Sequence, residues 1–201
     1  MERRRTLREI IKMIVVLTVI SIVMGTTLSV LESITRDPIE YSKLKFVKGP
    51  AILSVLTGYD NDPIKDFKKD VQFEEKINKS IFPAKKNGKY FAIAFEVTGT
   101  GYHGPMGIMM GVDIKSGSLI AMRVMTHTET PGLGARSAEP SFYDQFSGLN
   151  IKDVALSSNG GKINAISGAT ITSQGVVETI KKGLELFARD KDRIMSALGA
   201  G

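Results

Sequence analysis

Near the carboxy-terminal end, Ser167-Gly168-Ala169-Thr170-Ile171-Thr172-Ser173 sets four hydroxyl side chains and a glycine just ahead of a helical pattern. A hydroxyl at a helix start commonly accepts a hydrogen bond from one of the first free backbone N–H groups, and capping accounts for one of the four. Those N–H groups, the positive end of the helix dipole and a glycine that admits close approach also make a seat for a phosphate. Capping and phosphate binding are therefore the two readings of this stretch.

A second stretch, His127-Thr128-Glu129-Thr130-Pro131-Gly132-Leu133-Gly134-Ala135-Arg136, falls between a strand pattern and a short helix pattern. A Pro-Gly turn explains Pro131 and Gly132 without any ligand. It leaves Glu129, Thr130 and the glycines around a single Leu133 unexplained. Bare backbone, one apolar side chain and a few polar groups suit a loop lying against a flat heteroaromatic ring. Glu129 and Thr130 are then candidates for polar contacts, with Leu133 and Gly134 for the ring wall. Ser167, Gly168, Ala169, Thr170, Ile171 and Thr172 are the candidates at the phosphate.

The chain has no Cys and only two His, His103 and His127. Disulfides, thiolate zinc sites, Cys-ligated iron–sulfur clusters and cysteine nucleophiles are excluded. No carboxylate spacing resembles a calcium loop, so no metal site is expected. Redox chemistry in this chain requires an organic cofactor.

The elements that hold these stretches read as an α+β domain. Lys85-Lys86-Asn87-Gly88 predicts a hairpin turn, with strands over 90–98, 106–113 and 118–126, the last two joined by Lys115-Ser116-Gly117. Residues 59–70 read as a turn-rich charged stretch, 141–146 as a short helix, and 160–166 as a turn and short strand. Val176, Val177, Ile180, Leu184 and Phe187 recur on one helical face. The expectation is an antiparallel meander covered by a terminal helix.

Met13 to Leu31 contains no charge over nineteen residues, a length that crosses a bilayer as a helix. Arg3, Arg4, Arg5, Arg8 and Lys12 precede it against Glu2 and Glu9, giving +3 of the overall +6 within the first twelve residues. The positive-inside rule puts that end in the cytoplasm. Ser21, Gly25 and Ser29 form a small-residue row that lets another transmembrane helix come close. The resulting organisation is a cytoplasmic basic segment over 1–12, a span over 13–31, a stalk over 32–50 and an extracytoplasmic domain over 51–201. With the basic cluster beside an apolar run and no Trp in the chain, a nucleic-acid partner is not expected.

The single amino-terminal span, Gly101-Tyr102-His103-Gly104-Pro105 with its following strands, HTETPGLGAR and ISGATITS together resemble the FMN-binding G subunit of the Rnf electron-transport complex. The resemblance implies FMN joined by a phosphoester to Thr170, installed from FAD by a separate flavin transferase. It further implies partner membrane and redox subunits that couple ferredoxin and NAD chemistry to movement of Na⁺ or H⁺ across the cytoplasmic membrane. The family usually carries an acidic residue where this chain has Asn164. Three other readings stay open: the C subunit of the sodium-translocating NADH:quinone reductase, which shares the domain; a structural subunit with an unused site; and a free-standing anchored flavoprotein.

Overall fold

The computed structural model describes residues 2–73 and 78–199. The chain divides into two compact units, 1–43 and 44–201.

The first unit is one helix, α1 (Glu2–Lys43). Its Arg8–Arg36 portion, 29 residues, is long and apolar enough to cross a membrane, at about 43 Å for a rise of about 1.5 Å per residue. Within this portion Thr18, Ser21, Thr26 and Thr27 each donate to the carbonyl four residues earlier, at 2.7–2.9 Å. Hydroxyls paired inside their own helix carry little penalty in a hydrocarbon surrounding. The expected stalk is helical through Lys43, with Pro38 inside α1.

The second unit opens with a π-helical turn (Leu44–Lys48) that runs into α2 (Gly49–Val55). Packing therefore starts ahead of residue 51: Leu44 already lies against the core. Five antiparallel strands follow in sequential order: β1 (Lys68–Gln72), β2 (Asn78–Lys86), β3 (Lys89–Thr100), β4 (Pro105–Asp113) and β5 (Leu119–Thr126). The meander is as expected, with β1 emerging from the stretch read as turn-rich. The β2–β3 hairpin turns on Asn87 and Gly88 at φ 52° and 74°, the left-handed pair that the twist of a tight hairpin demands.

Period-two alternation distributes β3 between two layers. Ile93, Phe95 and Val97 face α4 (Thr170–Ala197), and Ala92 and Ala94 face α2. The five apolar positions of the terminal helical pattern, Val176, Val177, Ile180, Leu184 and Phe187, are all buried against the first face. Residues 160–166 form no strand; only an isolated bridge joins Leu156 to Ile163. The predicted short helix over 141–146 is divided into α3 (Pro140–Tyr143) and a 3-10 turn (Asp144–Phe146).

Gly175 and Gly183 break the helix propensity of α4 yet sit where it presses on the sheet. A Cβ on Gly175 would collide with the Thr100 carbonyl oxygen and come within 3.4 Å of Gly101 Cα; one on Gly183 would strike Met110 Sδ. Propensity alone favours Ala over Gly by about 1 kcal/mol in a helix interior. Here the collision is with backbone, which yields less readily than a side-chain tip. Gly175→Ala is accordingly expected to lower stability by about 1–3 kcal/mol, seen as a reduced thermal midpoint; an increase would show that α4 can lift from β3 without loss.

Candidate functional site

The start of α4 is shaped by the turn before it. The Ala169 N–H donates to the Ile166 carbonyl at 2.9 Å, and Gly168 between them has φ 77°, a left-handed corner that favours glycine. Ser173 reaches back from the first turn, donating to the Ala169 carbonyl at 3.0 Å and accepting from the Ile166 N–H at 2.9 Å. Ala169 occupies the N-cap and no side chain caps the helix. The capping reading therefore fails for all four hydroxyls, and the first N–H groups of α4 are left without intrahelical partners.

The hydroxyls serve different ends. Thr172 is buried and donates to Glu129 Oε2 at 2.6 Å. Ser173 is buried in the turn just described. Ser167 is exposed and is not part of the cleft lining. Thr170 is exposed, lines the cleft, and among the described residues its hydroxyl has no hydrogen-bond partner.

Glu129 gathers the surrounding segments. Its Oε1 accepts the His103 backbone N–H at 3.0 Å, so that one buried carboxylate ties the β3–β4 turn to α4 and to its own loop. A Cβ on Gly134 would collide with Glu129 Oε2, and one on Gly101 with Glu129 Oε1. These two glycines let backbone close over the carboxylate. Burial pushes the Glu129 carboxyl up, but hydrogen bonds from Thr172 and the His103 backbone, the nearby His103 charge and the Tyr102 backbone outweigh it, leaving the group below its ordinary range. Donors aimed at an ionised form favour that form.

Above the carboxylate lies a cleft of about 490 Å³ lined by the β3–β4 turn, the 129–134 loop and the start of α4. Thr130, Leu133 and Gly134 contribute from the loop, and Gly168, Ala169, Thr170, Ile171 and Thr172 from the helix start. The volume is that of a pocket for a cofactor-sized ligand. Nine of the ten candidate residues thus meet in one place, Ser167 being the exception. Tyr102 and His103, which were not among the candidates, complete the lining. Their rings meet edge-on at 4.7 Å, and His103 Nδ1 lies 3.4 Å from Thr130 Oγ1. The signal for them was the pair of aromatic rings between Gly101 and Gly104, where two strands turn and side chains project outward.

The FMN-binding domain family matches residues 101–185, which contain every segment of the cleft. The G subunit of an ion-translocating oxidoreductase complex from Cereibacter sphaeroides is 32% identical over 187 residues, 89% of this chain and 84% of that protein. The chain belongs to the G-subunit family of ion-translocating oxidoreductase complexes. Another member, the G subunit of a proton-translocating ferredoxin:NAD⁺ oxidoreductase complex from Clostridium ljungdahlii, is 29% identical over 70% of this chain and 78% of its own length. The C subunit of the Na⁺-translocating NADH-quinone reductase from Parabacteroides distasonis, a solved structure, is 27% identical with a TM-score of 0.47, over 56% of this chain and 62% of that one.

For a member of this G-subunit family, the donor set at the cleft fits a flavin mononucleotide. Uncapped N–H groups at the α4 start suit a phosphate, and exposed Leu133, Ile171 and Tyr102 offer apolar surface to a ring.

Proposed function

We propose that this chain is a membrane-anchored FMN-carrying subunit that relays electrons within an ion-translocating ferredoxin:NAD⁺ oxidoreductase complex, with FMN joined by a phosphoester to Thr170. The observation that carries the reading is the exposed, unpartnered Thr170 hydroxyl at the first position of an uncapped helix, inside the cleft. Attachment forms a bond from Thr170 Oγ1 to phosphorus of the FMN half of FAD. The pyrophosphate linkage breaks, AMP leaves and the hydroxyl proton is released, on a separate flavin transferase. Bound in this way, FMN supplies the electron-carrying chemistry.

The residues of the chain do the rest. The α4 backbone N–H groups hold phosphate charge. Glu129, through Thr172 and the His103 backbone, holds the helix start and the β3–β4 turn around the cleft. Leu133, 45% exposed and close to Gly168, supplies a wall for the ring.

Flavin fluorescence that survives denaturation, with the mass increment of FMN on the peptide containing Thr170, tests the reading directly; flavin lost on denaturation would reject the covalent link. Leu133→Ala is expected to keep that covalent flavin, because attachment requires the hydroxyl and not a seated ring, while ferredoxin-driven NAD⁺ reduction by the assembled complex falls. The lost contact is smaller than the roughly 1.5–3 kcal/mol of a fully buried leucine. Unchanged turnover would mean that Leu133 serves only its turn.

The same reading places the domain outside the cytoplasm, on the charge asymmetry around the span. Protease added outside intact spheroplasts should degrade the 44–201 unit. Protection until lysis would reverse the orientation.

A further inference from the structure

Among the described residues of the second unit, the large apolar side chains left exposed are Phe46, Leu53, Tyr102, Leu133 and Ile171. The last three line the cleft, and a bound cofactor accounts for them. Phe46 and Leu53, exposed by 71% and 43%, do not. They lie on the Leu44–Lys48 turn and α2, with exposed Pro50 between them. Steps of four and three residues set all three on one helical face. The opposite face, Ala51, Ile52 and Val55, is buried against the sheet. A surface helix ordinarily turns polar residues outward; this one is apolar on both sides.

Chain length and charge indicate what covers the outer face. Phe46 lies ten positions beyond Arg36, the end of the apolar portion of α1. That is at most roughly 35 Å of extended chain. Lys45 Nζ stands 5.5 Å over the Phe46 ring, so a cation rides beside the exposed aromatic. Lys43 and Lys48 flank it in sequence, and Lys48 bridges Glu96 at 2.7 Å. A short helix with Phe and Leu on one face and lysine beside them is the composition that settles at the headgroup boundary.

We propose that the face formed by Phe46, Pro50 and Leu53 rests on an anionic lipid surface, its side chains entering the headgroup boundary and Lys45 meeting lipid phosphates. The contact adds a second attachment of the flavin-carrying unit to the membrane beyond the single span. It concerns the orientation of the unit and holds whether or not flavin is present.

The chain lacks Trp, so one introduced indole reports alone. Full-length Phe46→Trp, Leu53→Trp and Ser158→Trp variants are placed in nanodiscs of phosphatidylglycerol brominated near the headgroup. Ser158 is exposed and its neighbour Leu156 packs in the core on the opposite face of the sheet, which makes it the control. Emission from positions 46 and 53 is expected to shift to shorter wavelength and fall by roughly half or more, as for an interfacial side chain. Position 158 should not respond, and replacing the anionic lipid by phosphatidylcholine brominated at the same positions should weaken the quenching. Quenching at 46 and 53 no greater than at 158 overturns the proposal. Shielding of 46 and 53 that arises only when the other subunits of the complex are added also overturns it, and assigns the face to a protein neighbour.

Discussion

Thr170→Ala should abolish covalent flavin while the protein still accumulates and folds. The hydroxyl it removes is exposed and, among the described residues, makes no hydrogen bond. The fold therefore loses nothing measurable, and alanine is a better helix former than threonine. Thr172 is not expected to substitute. Its hydroxyl is buried and donates to Glu129 at 2.6 Å, so presenting it to a transferase would require breaking a charge-assisted bond and turning the side chain out of the core. Such bonds are about twice as strong as neutral ones. In-gel flavin fluorescence and intact mass should both register complete loss in Thr170→Ala. Thr170→Ser, which keeps a hydroxyl at the same position, should restore part of the signal. Full fluorescence in the alanine variant would move the attachment elsewhere, and proteolytic mapping of the flavin peptide would find it.

Replacing Glu129 by Ala should damage both stability and loading. The change leaves the buried Thr172 hydroxyl without its acceptor, at about 1–3 kcal/mol for a buried group left unpaired, and releases the N–H of exposed His103 to water. Against a total stability of roughly 5–15 kcal/mol for an ordinary domain, that is a large fraction. Loading should fall with it, because the α4 start is no longer tied to the β3–β4 turn. Glu129→Gln keeps the shape and one acceptor oxygen and should recover part of the stability.

The pH dependence follows from the lowered carboxyl pKa. A depressed folded value means that the stabilisation is complete above the unfolded value, about 4.3, and is lost as pH falls through the folded one. The stability difference between wild type and Glu129→Gln should thus be constant near neutrality and shrink on acidification below about pH 4. A difference that instead shrinks as pH rises above neutrality would show that some other group sets the pH response.

By itself, the sequence determined whatever depends on local pattern. Nineteen residues without a charge between Met13 and Leu31 leave a helix as the one way for a single segment to pair every backbone group in lipid. The repeat of Val176, Val177, Ile180, Leu184 and Phe187 announced the buried face of α4, and Asn87-Gly88 announced the hairpin, since each rests on a local steric or periodic rule. Where residues far apart meet, such rules have nothing to say. The helical state of 51–55, to which the sequence reading assigned no element, goes with its packing onto Ala92, Ala94 and Met109. Gly175 and Gly183 read as helix weaknesses until the sheet is seen pressing against them.

The site divides in the same way. Its hydroxyl cluster and glycine-rich loop were legible, but the hydroxyls could not be told apart by type or spacing. Tertiary structure assigned them: Thr172 turns inward to a carboxylate 43 positions away, Ser173 folds back on its own turn, and Thr170 is left at the cleft. Tyr102 and His103 entered the lining only because β3 and β4 turn beside the start of α4. The physical reason is that a single hydroxyl has the same chemistry in every one of these positions, and only burial and the partners brought to it from distant segments decide whether it supports the fold or is free to react.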